Sequence, residues 1–403
     1  MSGYDLSKVP SVDINAEIPA EEFRERVKSL RAEMARRGLD IGFAYATPYM
    51  PGDVLYLTGF DTTVENATLL ISQDKLFVLC GPEGSYVCRS ELRYGEYRIV
   101  DEFKIPTEEY VNTPTVSIRS VIDELTAGKI KKAGILTRPD VITVETIHVM
   151  RTVLGNDVEF VDAGDILYGM RFVKSANEQA ILRISNRICI EAVKAMIESV
   201  KPGMREFEIT AVGDYVMKKM GAYAYGFDSF VCSGERSNTI MGRGTGRIIR
   251  EGDPVSIGAA ARFAGYASTA RRMTVAGGFT QKHIAFYEIG ARGQEIAAEN
   301  FRYGAPRNGI EKAVCEHFKR YGLFQYKVYS VAHGTGITEC MEAEAFTSNS
   351  PGTIPKNISM MLDVGIYFHP EFHGFSFENP YLINDKGETE RLADYPLRTW
   401  EVL

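Results

Sequence analysis

The side chains best equipped for chemistry crowd into the last third of this 403-residue sequence. His333 stands in Ala332-His333-Gly334-Thr335-Gly336, and Cys340 follows seven residues later, flanked by Glu339 and Glu342. Asp363 interrupts the apolar run Leu362-Asp363-Val364-Gly365-Ile366-Tyr367, and Glu378 interrupts Gly374-Phe375-Ser376-Phe377-Glu378-Asn379-Pro380. An imidazole with two carboxylates can hold a single Mn, Fe or Zn ion with positions left open. The plainer reading is a satisfied strand histidine and carboxylates bonded to backbone or arginine, the usual state of buried polar groups. A thiol beside His333 and arginine side chains can act as a nucleophile once its pKa is lowered, although a free cysteine more often packs as a small apolar residue. Glu339 and Glu342 are each either a general base or a solvated carboxylate. His369 and His373 sit in the loop Phe368-His369-Pro370-Glu371-Phe372-His373. Their i, i+4 spacing would share a helix face, but Pro370 and the hairpin context argue against a helix, leaving substrate contact at a rim as the functional expectation.

Positioning these groups requires strands and helices whose signals are plain. Pro19 to Gly38 carries Phe23, Val27, Leu30 and Met34 at helical spacing with Gly38 as the stop. Short strands are expected at Ile41–Ala46, Val54–Thr58, Ala67–Ile71 and Leu76–Cys80, with helices near Val116–Leu125 and Val144–Val153 around the apolar run Ala133–Thr137. A long helix begins near Lys174-Ser175-Ala176-Asn177-Glu178 and ends before Lys201-Pro202-Gly203. A helix over Glu206–Met220, strands to Val275, helices from His283 to Tyr321, and the strands of His333, Asp363 and Glu378 complete the reading. The expected class is α/β (α+β), a small N-terminal domain over residues 1–168 and a larger domain over 169–403.

Hydrophobic residues make up 45% of the chain and charged ones 25%, enough for two sizeable cores. The net charge of −7 argues against a nucleic-acid partner, which calls for clustered Lys and Arg. Six cysteines without CxxC spacing indicate neither a zinc knuckle nor a disulfide scaffold. Without a basic-then-apolar leader or a long apolar stretch, the expectation is a cytoplasmic protein with no membrane span.

The segments around Gly258, Thr269, His333, Asp363 and Glu378 together resemble the pita-bread peptidase and creatinase family. There, two Asp, one His and two Glu surround two divalent ions. The resemblance places Gly258 and Thr269 where the two Asp would stand and Asp363 where a Glu would stand. It also covers the small N-terminal domain and the Lys174–Glu178 helix start, and it implies the fold and a homodimer in which one subunit's N-terminal domain lies near the other's site.

Creatinase, a metal-free member, has lost the same two Asp. Against it, Met241 stands at the position of the proton-carrying His and Arg271 at that of its Glu. Glu344 and Glu65 replace the Arg pair that binds the substrate carboxylate, which favours a cationic or hydrogen-bond-donating substrate. Arg243, Arg271 and Arg272 bring positive charge to the vacated space, either toward substrate or as ion-pair partners of Asp363 and Glu378.

The resulting expectation is a creatinase-like hydrolase that cleaves a non-peptide C–N bond of a small nitrogenous metabolite, with no metal and no cofactor, a lyase step being left open. His333, Glu378, Asp363 and Cys340 form its catalytic set. Glu65, Met241, Arg243, Arg271, Arg272, Glu344, His369 and His373 contact the substrate. Two alternatives stand beside it. One is a mononuclear metal hydrolase or Xaa-Pro-type dipeptidase with a single divalent ion on His333, Asp363 and Glu378. The other is a non-enzymatic binding protein.

Overall fold

The computed structural model describes residues 4–103, 110, 112–340 and 342–403. Contacts divide the chain into Ile18–Arg171 and a second unit made of Phe172–Leu403 with Met1–Glu17. The 1–168 and 169–403 division therefore needs amending at the N-terminus. The Tyr4 hydroxyl donates to Glu191 Oε1 at 2.5 Å, within the larger unit.

In the smaller unit the strands β1 (Ile41–Ala46), β2 (Ala67–Ile71), β3 (Leu76–Cys80), β4 (Glu96–Ile99), β5 (Lys132–Ile135) and β6 (Glu159–Asp162) form one sheet in the order β4-β3-β2-β1-β5-β6. Its helices are α1 (Ala20–Arg37), α2 (Gly52–Thr58), α3 (Gly84–Glu91), α4 (Ile118–Leu125), α5 (Val144–Leu154) and α6 (Gly164–Phe172), the last reaching the boundary. Helix α1 buries the expected Phe23, Val27, Leu30 and Met34, and Gly38 closes it at φ +66°, a conformation glycine adopts without strain. Each such side chain contributes about 1.5–3 kcal/mol by leaving water. The strand expected at Val54–Thr58 is instead helix α2. Its residues are buried nearly all round, which removes the polar face that distinguishes a helical from a strand period.

The larger unit opens with α7 (Ala176–Ser199), capped reciprocally by Ser175 and Glu178, and α8 (Glu206–Lys219). Its strands are β7 (Ala224–Ser233), β8 (Pro254–Phe263), β9 (Tyr266–Ala267), β10 (Ala270–Val275), β11 (Ala332–Gly334), β12 (Ile358–His369), β13 (His373–Ile383) and β14 (Thr389–Arg391), with α9 (Gln281–Asn300) and α10 (Gly309–Arg320) before β11. They form a sheet ordered β11-β12-β13-β10-β8-β7, with β9 on β8 and β14 on β13. Strand alternation divides the two faces. Leu362, Val364, Ile366, Phe375 and Phe377 enter the core with residues of α9 and α10, which leaves Asp363, Ser376 and Glu378 on the other face. Among the described residues, no helix is long and apolar enough to cross a membrane.

Candidate metal centre

Register builds the site. Asp363 pairs directly with Glu378 across β12 and β13, and Glu378 pairs with Arg271 across β13 and β10. Opposed residues of neighbouring strands project from the same face, so three charged side chains meet. Arg271 Nε lies 2.9 Å from Glu378 Oε2 and its Nη1 lies 3.3 Å from Asp363 Oδ2. All three are buried. Burial opposes the charge on Arg271, but Asp363 and Glu378 outweigh it and hold the guanidinium firmly protonated. Glu378 is likewise driven below the ordinary carboxylate range, because the charge of Arg271 and the contact with His333 overcome the cost of burial.

Asp363 is fully engaged. Its Oδ1 accepts from Ser376 Oγ at 2.8 Å and from the Tyr329 hydroxyl at 3.0 Å, while Oδ2 faces Arg271. Burial nevertheless pushes its pKa up, and Arg271 only partly offsets this. His333, on β11, turns its Nε2 to 3.3 Å from Glu378 Oε1 and 3.9 Å from Glu339 Oε1. Its Nδ1 lies 3.3 Å from the Gly334 carbonyl, which can only accept. A neutral imidazole bonded there therefore protonates Nδ1 and leaves the Nε2 lone pair facing the carboxylates. Burial lowers the pKa of His333, but Glu378, Glu339 and Asp363 together raise it to about 9. Glu339 is pushed up to about 7 by burial, against the pull of His333.

His333, Glu339 and Glu378 each offer a ligand atom, and these atoms lie within 4.8 Å of one another. Glu339 Oε1 and Glu378 Oε1 are buried and complete no hydrogen bond. Unsatisfied carboxylate oxygens in a buried site are what a divalent cation relieves. One ion fits this donor set. A second does not, because the neighbouring space has other occupants. Gly258 offers no ligand, and the Thr269 hydroxyl donates to the Ala259 carbonyl at 3.0 Å. The ligand set expected for a single ion changes accordingly, with Glu339 taking the place of Asp363.

The other expected site residues disperse. Cys340 stands at the surface. Crowding of its sulfur by protein, with the charges of Glu339 and Glu378, pushes its thiol up to about 11, contrary to a thiolate nucleophile. Arg272, next to Arg271 on β10, points away and donates to the carbonyls of Glu378, Tyr395 and Pro396 and to Asn379 Oδ1. Its role is structural rather than substrate contact. Arg243 is exposed and paired with Asp228, Met241 is half exposed, and Glu344 pairs with Arg307 on the surface. Glu65 is buried in the smaller unit, where Oε2 accepts from Gly84 N at 2.7 Å and Oε1 from Glu83 N at 3.2 Å. His369 packs its ring on Phe286 and Phe372, and its Nδ1 accepts from the Glu371 and Phe372 amides. His373 opposes it across the hairpin at φ +62°. Glu342 accepts from Thr338 N and Oγ1, tying the loop that carries Glu339.

The family model described as metallopeptidase family M24 matches residues 180–385, and the creatinase/prolidase N-terminal domain matches residues 26–173. The Xaa-Pro dipeptidases of Pyrococcus furiosus and Pyrococcus horikoshii are each 30% identical over 232 residues, 58% of this chain and 66% of theirs. The match thus spans just under two thirds of those relatives. The prolidase structure from Pyrococcus horikoshii OT3 superposes with a TM-score of 0.79 at 24% identity, covering 93% of this chain and 99% of that one. These matches confirm the pita-bread fold. They overturn the creatinase-like reading of a non-peptide C–N hydrolase, because the relatives are named for peptide hydrolysis. They also overturn the expectation of a metal-independent chain without cofactor, since the matched family is one of metallopeptidases.

Proposed function

The chain belongs to metallopeptidase family M24, and we propose that it hydrolyses the peptide C–N bond of short Xaa-Pro substrates with one divalent ion held by His333, Glu339 and Glu378. The observation that carries this reading is the convergence of one imidazole nitrogen and two unsatisfied, buried carboxylate oxygens. A divalent ion in such a set supplies Lewis acidity toward a scissile carbonyl and toward water.

The protein's own groups prepare that site. When His333 gives up a proton to an ion, the Gly334 carbonyl keeps the remaining one on Nδ1, so that Nε2 is the nitrogen freed for ligation. Arg271 holds Glu378 from the side opposite His333, so the carboxylate is pinned between two partners and cannot swing out of the row. Tyr329 and Ser376 orient Asp363, which in turn anchors Arg271. The loop carrying Glu339 is secured by Glu342 and Thr338, which keeps the third carboxylate aimed inward.

The test is hydrolysis of Gly-Pro, Ala-Pro and Met-Pro by protein loaded in turn with Mn, Co or Zn, with Ala-Ala and creatine as controls. Turnover of about 1 per second or faster on an Xaa-Pro dipeptide, abolished by chelation and restored by metal, is expected. Absence of Xaa-Pro hydrolysis with every metal would remove the proposal.

A further inference from the structure

Five strands contribute one residue each to a single lateral row. Asp363 on β12 opposes Glu378 on β13, Glu378 opposes Arg271 on β10, Arg271 opposes Gly258 on β8, and Gly258 opposes Phe230 on β7. The guanidinium sits mid-row. It is bound to two carboxylates on one side, and its central carbon lies 5.3 Å from the Phe230 ring centroid on the other. The missing side chain at Gly258 is what admits that ring, since a Cβ there would lie 2.3 Å from Phe230 Cε1. Phe230 and Arg271 are both buried, at 2% and 3% exposure, on the side of Glu378 away from His333. Cation–π contact and two carboxylates all favour the charged guanidinium staying where it is.

The placement of the guanidinium points the same way. It already lies against the two carboxylates that a second ion would need, and a divalent ion beside it would face a like charge in a buried site, which is strongly disfavoured. The geometry points to Arg271 as a permanent, non-exchangeable cation that takes up the second cation position, limits the site to one divalent ion, and reserves Asp363 for the protein. This rests on the single-ion reading above for what occupies the other half.

Mn(II) titration of the full-length protein, read by calorimetry and electron paramagnetic resonance, tests the assignment independently of activity. The unmodified protein should take up one equivalent and show an isolated six-line spectrum. Arg271→Met, neutral and of similar length, should gain one further equivalent with an exchange-coupled spectrum, whereas Arg271→Lys should match the unmodified protein. Asp363→Asn, nearly isosteric, should still bind one equivalent and keeps the test open should Arg271→Met fail to fold. Two equivalents in the unmodified protein, no gain in folded Arg271→Met, or loss of all binding in Asp363→Asn would each overturn the inference. No binding by the unmodified protein with one equivalent in Arg271→Met would support Arg271 as the resident cation and remove the single-ion peptidase reading instead.

Discussion

The ring of Phe230 lies where a side chain on residue 258 would have to begin: a Cβ on Gly258 would be 2.3 Å from its Cε1 and 2.4 Å from its Cζ. Glycine is required here for space rather than for backbone freedom, because Gly258 is not among the positive-φ residues. Gly258→Ala should therefore destabilise the protein by about 1–3 kcal/mol, the usual cost of overpacking. Phe230→Ala in the same chain should recover part of that loss. A double-mutant cycle by urea unfolding measures the coupling, and additive effects of the two changes would contradict the contact.

His333 and Glu378 should separate in their consequences. Glu378 is wholly buried and shared between Arg271 and His333, whereas the His333 side chain is 19% exposed. His333→Ala should weaken metal binding by tenfold or more while costing under about 1 kcal/mol of stability, since a polar group with access to water is removed. Glu378→Gln should lose activity and also about 3–5 kcal/mol, because Arg271 is left undercompensated in the interior. Equal stability losses for the two variants would count against this division of roles.

Cys340→Ala should retain activity within about tenfold of the unmodified protein, the scale of a small positioning error rather than of a lost nucleophile. With the thiol pushed up to about 11, iodoacetamide at pH 8 should label Cys340 slowly despite its surface position. A substrate-derived adduct on Cys340 by mass spectrometry would refute this.

Much of this site is legible in the sequence, and the gaps have identifiable physical causes. His333, Asp363 and Glu378 stand out because each interrupts an otherwise apolar or glycine-rich strand segment. Arg271 and Arg272 illustrate a rule available without coordinates: adjacent strand residues face opposite ways, so only one of them can reach the site. Glu339 is harder. It lies on an irregular loop whose direction is set by Glu342 bonding back to Thr338, a contact that no periodicity announces. The exchange of Asp363 for Glu339 in the ligand set has a similar origin, because Tyr329 comes from a segment more than thirty residues away to occupy Asp363. Helix α2 was obscured by burial on every side, and α1 was plain because it keeps a polar face and a glycine stop.

Glu206 provides a pH test outside the metal ligands. It opens α8 and is wholly buried, yet its Oε1 accepts from Ser233 N and Oγ at 2.8 Å each, and its Oε2 from Thr245 N at 3.0 Å, Thr245 Oγ1 at 2.6 Å and Arg236 Nε at 3.0 Å. Burial alone would raise its pKa, but the hydrogen bonds from Thr245 and Ser233 overcome it and hold the carboxyl below the ordinary 4.5. A depressed folded pKa means that ionised Glu206 stabilises the native state fully above about pH 4.5, and that this contribution fades as pH falls through the lower folded value. Glu206→Gln should thus cost about 2–4 kcal/mol at pH 7, because an amide cannot accept the same set of donors with both of its end groups. The difference between variant and unmodified protein should shrink as pH drops from 4.5 toward 3, where the carboxyl protonates and comes to resemble the amide. Urea unfolding of both proteins at pH 7, 4.5 and 3 measures it, and a gap that stays constant or widens on acidification would show that Glu206 acts through shape rather than charge.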